Sequence, residues 1–511
     1  MKLSFRDWLL AVLAGSSFVL SAPPFDLAAP AFVTTALLWW AITGPHVRPV
    51  RNAFRIGWLA GFAASLGGFY WVIGLLDRFA HIPIPVCLLI WILLCAYGAV
   101  AWGAACAVAR AVDPRSLWSL IALPAALVAT DKLVPQIFPW PLAISQHRFV
   151  HLIQVADLGG PYAVTFLVAL IGVSVTVAAR GDRRAALVAG LVFALALGYG
   201  AVRIGEVESR RTQAPSRTVA LVQPNVSIDD KHDPRMARTN VEQIQRLSAD
   251  AERRGADLVI WPESSWPYRL LRTATGRDAG VRRIRQGFSA DLVFGAVSME
   301  PSGLPHWNSS YWLTRDGRLV GPADKRVLLA FGEYIPLYDQ LPFLKTWFPR
   351  SGGFTRGDRP QILDDGETRL GVMNCYEDVL PEMSLELADA EPHLLLNVTN
   401  DAWFGDTSEP HLHAGLAVFR AVELRRDLAR AVNTGISSVV AATGHVVAAT
   451  GTFEERVLVE KVALLEGKTV YATVGDAFAW ACVAAIAALL VARLARRSGS
   501  VPAPEPPAAP E

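Results

Sequence analysis

Charge is scarce in this chain. Of 511 residues only 18% are Asp, Glu, Lys or Arg, where a water-soluble chain carries about a quarter, and mean hydropathy is positive. Net charge is small, +2, and no basic run is interleaved with aromatics, so nucleic acid is not an expected partner. Cysteine is sparse as well, with five residues. Cys87, Cys95, Cys106 and Cys482 lie in apolar segments, where a thiol behaves as a small hydrophobe. Cys375 stands alone in a polar region. It has no partner there for a disulfide, and no Cys/His spacing for zinc surrounds it. No internal repeat is visible.

What is abundant is apolar sequence, unevenly placed. Runs of the length needed to span a bilayer occur at roughly 7–22, 27–43, 54–76, 83–109, 115–131, 160–179, 184–202 and 471–492. The fifth is short and ends at Asp131-Lys132, which suits a helix end at the interface. The stretch from Pro139 to Leu158 is expected to lie along the membrane surface. With eight spans, the short loops on one side hold thirteen Lys and Arg residues, among them Arg51, Arg110, Arg183 and Arg496. The other side holds three, Arg78, Lys132 and Arg148. Basic short loops stay in the cytoplasm, so both termini are expected inside and the large polar region outside. A cleavable signal peptide ending near Ser21-Ala22 is the alternative reading of the first run. The expected organisation is a membrane domain over 1–205, a polar domain over 216–466, an eighth span over 470–495 and a disordered tail over 498–511.

Within the polar domain the pattern switches to short β runs alternating with helical stretches. Strands are expected at Arg217–Val222, Asp257–Trp261, Asp291–Gly295, Arg369–Asn374 and His393–Thr399. Hairpins are expected around Asp316-Gly317 and Thr443-Gly444, and an amphipathic helix over Pro234–Arg254. That mixture predicts a layered α/β domain with mixed sheets, in which functional side chains sit just past strand carboxyl ends. Three runs end in suggestive chemistry: Leu258–Pro262 before Glu263, Leu370–Asn374 before Cys375-Tyr376-Glu377, and Leu394–Thr399 before Asn400-Asp401.

These motifs, in this order, resemble the Glu-Lys-Cys triad of the nitrilase (carbon-nitrogen hydrolase) superfamily. More closely they are similar to the apolipoprotein N-acyltransferases. The wording that carries the likeness is Trp261-Pro262-Glu263-Ser264, then Lys325 with Phe331-Gly332-Glu333-Tyr334-Ile335-Pro336, then Cys375-Tyr376-Glu377, then Asn400-Asp401-Ala402-Trp403-Phe404-Gly405 with Pro410-His411. The likeness runs along essentially the whole chain. It implies a polytopic α-helical membrane protein of about eight spans with a periplasmic α/β nitrilase-like αββα sandwich, in a bacterial inner membrane. One departure stands at Lys231-His232-Asp233-Pro234, where the family often has tryptophan in place of His232.

The resemblance implies an acyltransferase of lipoprotein biosynthesis. A phospholipid such as phosphatidylethanolamine donates an acyl chain to Cys375, and the α-amine of an N-terminal diacylglyceryl-cysteine accepts it. Glu263 is the expected base, Lys325 the expected oxyanion donor and Glu333 a second acid steering Lys325 or the amine. Tyr376, Glu377, His232 and Trp403 are expected to shape the pocket. A free thiol is only a few per cent thiolate at neutral pH, so it needs such neighbours. No cofactor is expected, and no metal: His411 and His413 pair without an evident third ligand. A monomer is expected. Trp347 and Phe348 read as a lid against the bilayer or a buried loop anchor. Two rival readings are a membrane-tethered nitrilase-type amidase that gives the acyl group to water, and a polytopic transporter or receptor with a non-catalytic sensor domain.

Overall fold

The computed structural model describes residues 3–44, 47, 49–80, 82–111, 119–330, 332–335, 340, 343, 346 and 353–498. Trp347, Phe348 and the tail beyond Ser498 lie outside the described residues. Helices fill the chain as far as Gln213: Phe5–Ser21, Ala29–Ile42, Val50–Gly68, Trp71–Ala80, Ile84–Ala111, Ser119–Leu133, Ala156–Ala179 and Arg183–Gln213, with Ala477–Ser498 returning after the polar domain. Three of them, Ile84–Ala111, Ala156–Ala179 and Arg183–Gln213, are long and apolar enough to cross a membrane, and four if one bent pair counts as a span. Ala29–Ile42 is shorter; at the helical rise its 14 residues reach about 21 Å, less than a hydrocarbon core of about 30 Å.

Small residues let these helices approach closely, the usual way spans associate without a hydrophobic drive between them. Gly57 is the clearest case: a Cβ there would lie 2.4 Å from the Trp102 carbonyl oxygen. The expected continuous span over 54–76 is corrected. The helix breaks after Gly68 and resumes at Trp71 with a 54° bend. The bend turns Trp71 into an aromatic cluster with Phe138 and with Phe404 of the polar domain, ring centroids 5.0 and 5.3 Å away. Tertiary packing outweighs apolar periodicity there. The Pro139–Leu158 stretch forms two short helical turns, Leu142–Gln146 and Val150–Ile153, not a crossing helix.

The polar domain has two mixed sheets. The first runs β13-β1-β2-β4-β5-β6 with β3 also on β4; the second runs β12-β11-β10-β9-β8-β7. Their strands are β1 (Ser216–Gln223), β2 (Leu258–Ile260), β3 (Trp266–Leu271), β4 (Asp291–Met299), β5 (His306–Leu313), β6 (Leu319–Asp324), β7 (Ile362–Asp364), β8 (Arg369–Asn374), β9 (Leu394–Thr399), β10 (Leu428–Val432), β11 (Ser438–Val440), β12 (Val446–Ala449) and β13 (Arg456–Ala463). β1, β2 and β4 are parallel neighbours, as are β8, β9 and β10.

Alternation along the central strands sorts side chains to two faces. Val219, Leu221, Leu258 and Ile260 meet Val372, Leu394, Leu396 and Ala429 between the sheets. Ala220, Val222 and Val259 point the other way, onto Val241, Ile244 and Leu247 of the Ala237–Arg253 helix. The second sheet's outer face is covered by the Glu409–Leu424 helix, whose Leu412, Leu416 and Phe419 share one core with the membrane helices. The layers are therefore α, β, β, α, and the second α layer is also the junction with the spans. Arg211 clamps Asp427 through bonds of 2.8 and 2.9 Å, and Arg425 clamps Asp157 through bonds of 3.1 and 2.7 Å.

Candidate functional site

Four loops leaving strand ends converge at one end of the sandwich. Glu263 follows β2, Lys325 directly follows β6, Cys375 directly follows β8, and Asp401 follows β9. Parallel strands carry their carboxyl ends to the same edge, which is why residues so far apart in sequence meet.

Lys325 is the hub. It is 2% exposed, and its Nζ lies 3.1 Å from Glu263 Oε1 and 2.9 Å from Glu333 Oε2. Burial alone would discharge the ammonium. Glu263 and Glu333, with Cys375 and Glu377, outweigh burial and hold the lysine well above its ordinary pKa. Asn308 on β5 ties the two acids together, donating from Nδ2 to Glu263 Oε1 at 2.7 Å and to Glu333 Oε1 at 3.0 Å. The Leu329 N–H donates to Glu333 Oε2 at 2.9 Å.

Cys375 is buried at the start of a 3-10 turn with φ +52°. A left-handed backbone at a residue other than glycine costs on the order of 1–3 kcal/mol and is held only by its surroundings. Those surroundings are Glu377 and Asn374. Glu377 is fully buried and accepts four hydrogen bonds: the N–H groups of Arg326 and Val327 on one oxygen, the Asn374 N–H and the Gln361 side chain on the other. One carboxylate thus joins the segment after Lys325 to the turn that carries the thiol. Burial pushes it up to about 7 against those donors and Lys325. Asn374 accepts from Ser310 and donates to Gln361. The thiol itself is pushed well above the ordinary range, by burial first and by Glu263 next, while Lys325 pulls the other way. At rest it is protonated and needs a base to react.

The structure thus brings Glu263, Lys325, Glu333 and Glu377 into one bonded group around the Cys375 turn. Tyr376 points away, donating to the Ile137 carbonyl at 2.6 Å and meeting the Phe138 ring edge-on at 6.2 Å. His232 is exposed, and its ring lies 5.4 Å from that of Trp403. Its neighbour Lys231 was not singled out by the sequence. Lys231 Nζ donates to the Glu263 carbonyl at 2.8 Å, and burial lowers its ammonium to about 8, against the charges of Glu263 and Cys375. Asn308 was missed as well. It lies in a strand that also carries His306, Ser309 and Ser310, so no local pattern sets it apart. Gly295 is a third: a Cβ there would stand 2.4 Å from the Ser264 nitrogen, so only glycine lets the Glu263 turn pass over β4.

The structure does not bring His411 and His413 together as a pair of ligands. His413, not His411, joins Asp401 and Glu409, whose ligand atoms lie within 4.8 Å of one another. Yet His413 Nε2 lies 2.6 Å from Asp378, and Nδ1 lies 3.1 Å from Asp401. Burial alone would empty the ring of its second proton. Asp378 and Asp401 outweigh it and hold the imidazolium up to about 10. With Arg430 on Asp378 and Asp401, the group is an ion-pair network under the catalytic edge.

Comparison with known proteins gives matches along most of the chain. The family model described as "Apolipoprotein N-acyltransferase N-terminal domain" matches residues 14–174, and that for "Carbon-nitrogen hydrolase" matches 218–469. The chain is 34% identical to an apolipoprotein N-acyltransferase of Geobacter metallireducens, over 97% of this chain and 96% of that one. It is 32% identical to one of Allorhizobium ampelinum, over 86% and 87%. Among solved structures, an amidase from Nesterenkonia sp. is 22% identical with a TM-score of 0.37, covering 51% of this chain and 94% of that chain. At that level of full-length identity, the chain belongs to the apolipoprotein N-acyltransferase family, and it is an acyltransferase with a carbon-nitrogen hydrolase domain.

Proposed function

We propose that this enzyme transfers an acyl chain from a phospholipid, through a thioester on Cys375, to the α-amine of an N-terminal diacylglyceryl-cysteine. The observation that carries this reading is the buried Lys325 ammonium held between Glu263 and Glu333 beside a buried thiol. Glu263 takes the Cys375 proton as the sulfur attacks the ester carbonyl, and Lys325 faces the oxyanion. The proton returns to the leaving alkoxide, releasing lysophospholipid. The amine then attacks the thioester and loses a proton to Glu263, and the thiol departs with it. A preorganised cation in a water-poor site is worth far more than the same charge in water.

The membrane reading is of eight passes, with the catalytic domain on the periplasmic side of the inner membrane. Supporting it, two of the three basic residues of the sparsely charged side reach the polar domain or the start of the final helix. Arg78 donates to the Phe404 carbonyl and Lys132 pairs with Asp476.

The test is to give the purified enzyme phospholipid alone. It should accumulate an acyl adduct on Cys375 that neutral hydroxylamine cleaves, because an acyltransferase keeps water from its intermediate. A peptide with a free N-terminal diacylglyceryl-cysteine should discharge the adduct as N-acyl peptide. Rapid discharge to free fatty acid without any amine would favour the amidase reading, and no adduct would remove Cys375 from the chemistry.

A further inference from the structure

Between the spans and the underside of the polar domain lies a cavity of about 310 Å³. It backs onto the nucleophile's own segment: Val379 and Leu380 line it, as does Phe138, whose ring meets Tyr376. Much of its wall is apolar, which suits acyl chain or glycerol. Its polar wall is unusual.

Arg420 is 1% exposed, and one of its terminal nitrogens is used on Glu423. Its Nε and Nη1 groups have no hydrogen-bond partner among the described residues. On the same wall the buried Gln136 Nε2 and Trp140 Nε1 groups also lack one. Leaving a buried donor unmade is costly, and a charged one more so. Here side chains from separate segments leave N–H groups unspent around one space. Burial, against Arg420, pushes Glu423 up to about 7, so the guanidinium charge is only partly offset by its own partner. Two acids, Asp131 and Glu382, line the same cavity, as does Lys132, whose ammonium is paired with Asp476. A lone carboxylate ligand would be repelled by them. A ligand carrying an anion and an ammonium a short distance apart would match both signs.

We propose that this cavity holds the headgroup of a zwitterionic phospholipid. The Arg420, Gln136 and Trp140 N–H groups take the phosphodiester oxygens, and Asp131 and Glu382 face the ammonium. The inference rests on the reading of a phospholipid as acyl donor, and adds the residues that recognise it. Intramembrane and junctional charges are otherwise expensive to keep, and this ligand gives them a use.

The experiment measures thioester formation on Cys375 by intact mass, in micelles, from phosphatidylethanolamine and from diacylglycerol, which has the same ester and no headgroup. Wild-type enzyme should charge faster from phosphatidylethanolamine by about tenfold or more, the yield of one or two charge-assisted hydrogen bonds. The double variant Gln136→Leu/Trp140→Phe removes the Gln136 amide and Trp140 indole donors, and its preference should fall towards one. Arg420→Lys should do the same, and thermal melting shows whether it still folds. Equal charging from both esters in the wild type would overturn the proposal, as would a variant that keeps the wild-type ratio. If inorganic phosphate displaces nothing while phosphatidylglycerol matches phosphatidylethanolamine, the acids do not read an ammonium and the zwitterion assignment fails. If inorganic phosphate alone binds and no lipid is retained by native mass spectrometry, the cavity is a free-anion site and the proposal also fails. Absence of any thioester from either ester would count against the Cys375 reading instead.

Discussion

A carboxylate, an ammonium and a thiol buried together fix each other's protonation. Lys325 stays charged because two acids face it, and Cys375 stays protonated because burial and Glu263 oppose the thiolate. Replacing Lys325 by Ala should therefore cut thioester formation by about 10²–10³, the usual effect of losing one oxyanion donor. Glu263→Gln should leave the protein folded and slow the same step, because an amide accepts no proton. Near-normal charging of Cys375 in Lys325→Ala would remove that residue from the mechanism. Lys231 gives a pH test. With its ammonium lowered to about 8 by burial, it is charged below that pH and neutral above it. Its charge favours thiolate in the transition state, so the rate of charging should fall as pH rises through about 8. In Lys231→Met that fall should be absent, and the rate near neutral pH lower by about tenfold. An unchanged pH profile would show that Lys231 only holds the Glu263 turn.

Two elements carry more of the site than their composition suggests. Strand β4 must be glycine at Gly295 to let the Glu263 turn lie across it. Gly295→Ala should displace that turn and reduce charging by about tenfold or more, since misplacement of about 1 Å can cost 10². Normal charging in that variant would show that the turn yields freely. The Glu409–Leu424 helix supplies His413, whose imidazolium is held up to about 10 by Asp378 and Asp401 against burial. A group raised in the folded state stabilises fully below its unfolded pKa of about 6.5. That contribution is lost as pH rises through about 10. The melting temperature of wild type should therefore exceed that of His413→Gln most near pH 6, and the gap should shrink towards pH 10. A constant gap would mean that His413 acts by shape alone.

At the scale of the molecule, the sandwich does not stand free of the spans. The Trp71–Ala80 segment, the Ile137 carbonyl and Asp157 each contact the polar domain. The catalytic edge is thereby held against the helices that would meet the lipid. If the domain is periplasmic, a membrane-impermeant protease applied to spheroplasts should cut between Ser216 and Glu466. Protection until the cytoplasmic side is opened would reverse the orientation and remove the lipoprotein acceptor with it.

The strands that carry Val219, Leu221, Leu258 and Ile260 were legible in the chain as short apolar runs, but their faces were not, because both sides of these strands are buried. The placing of Glu263, Cys375 and Asp401 at run ends was legible too, because chemistry collects where parallel strands stop, whereas Lys325 was legible only through the family resemblance. What the chain did not declare depends on partners distant in sequence. The break after Gly68 sets Trp71 against Phe404, more than 300 residues away in sequence. The third acid near His413, the tie of Asn308 between two carboxylates and the approach of Lys231 to Glu263 are contacts across strands and loops that no local pattern encodes. The unspent N–H groups of Arg420, Gln136 and Trp140 are the same kind of fact. Period and propensity are local and can be read along the chain, whereas burial, pairing and cavity shape belong to the folded arrangement of the spans against the sandwich.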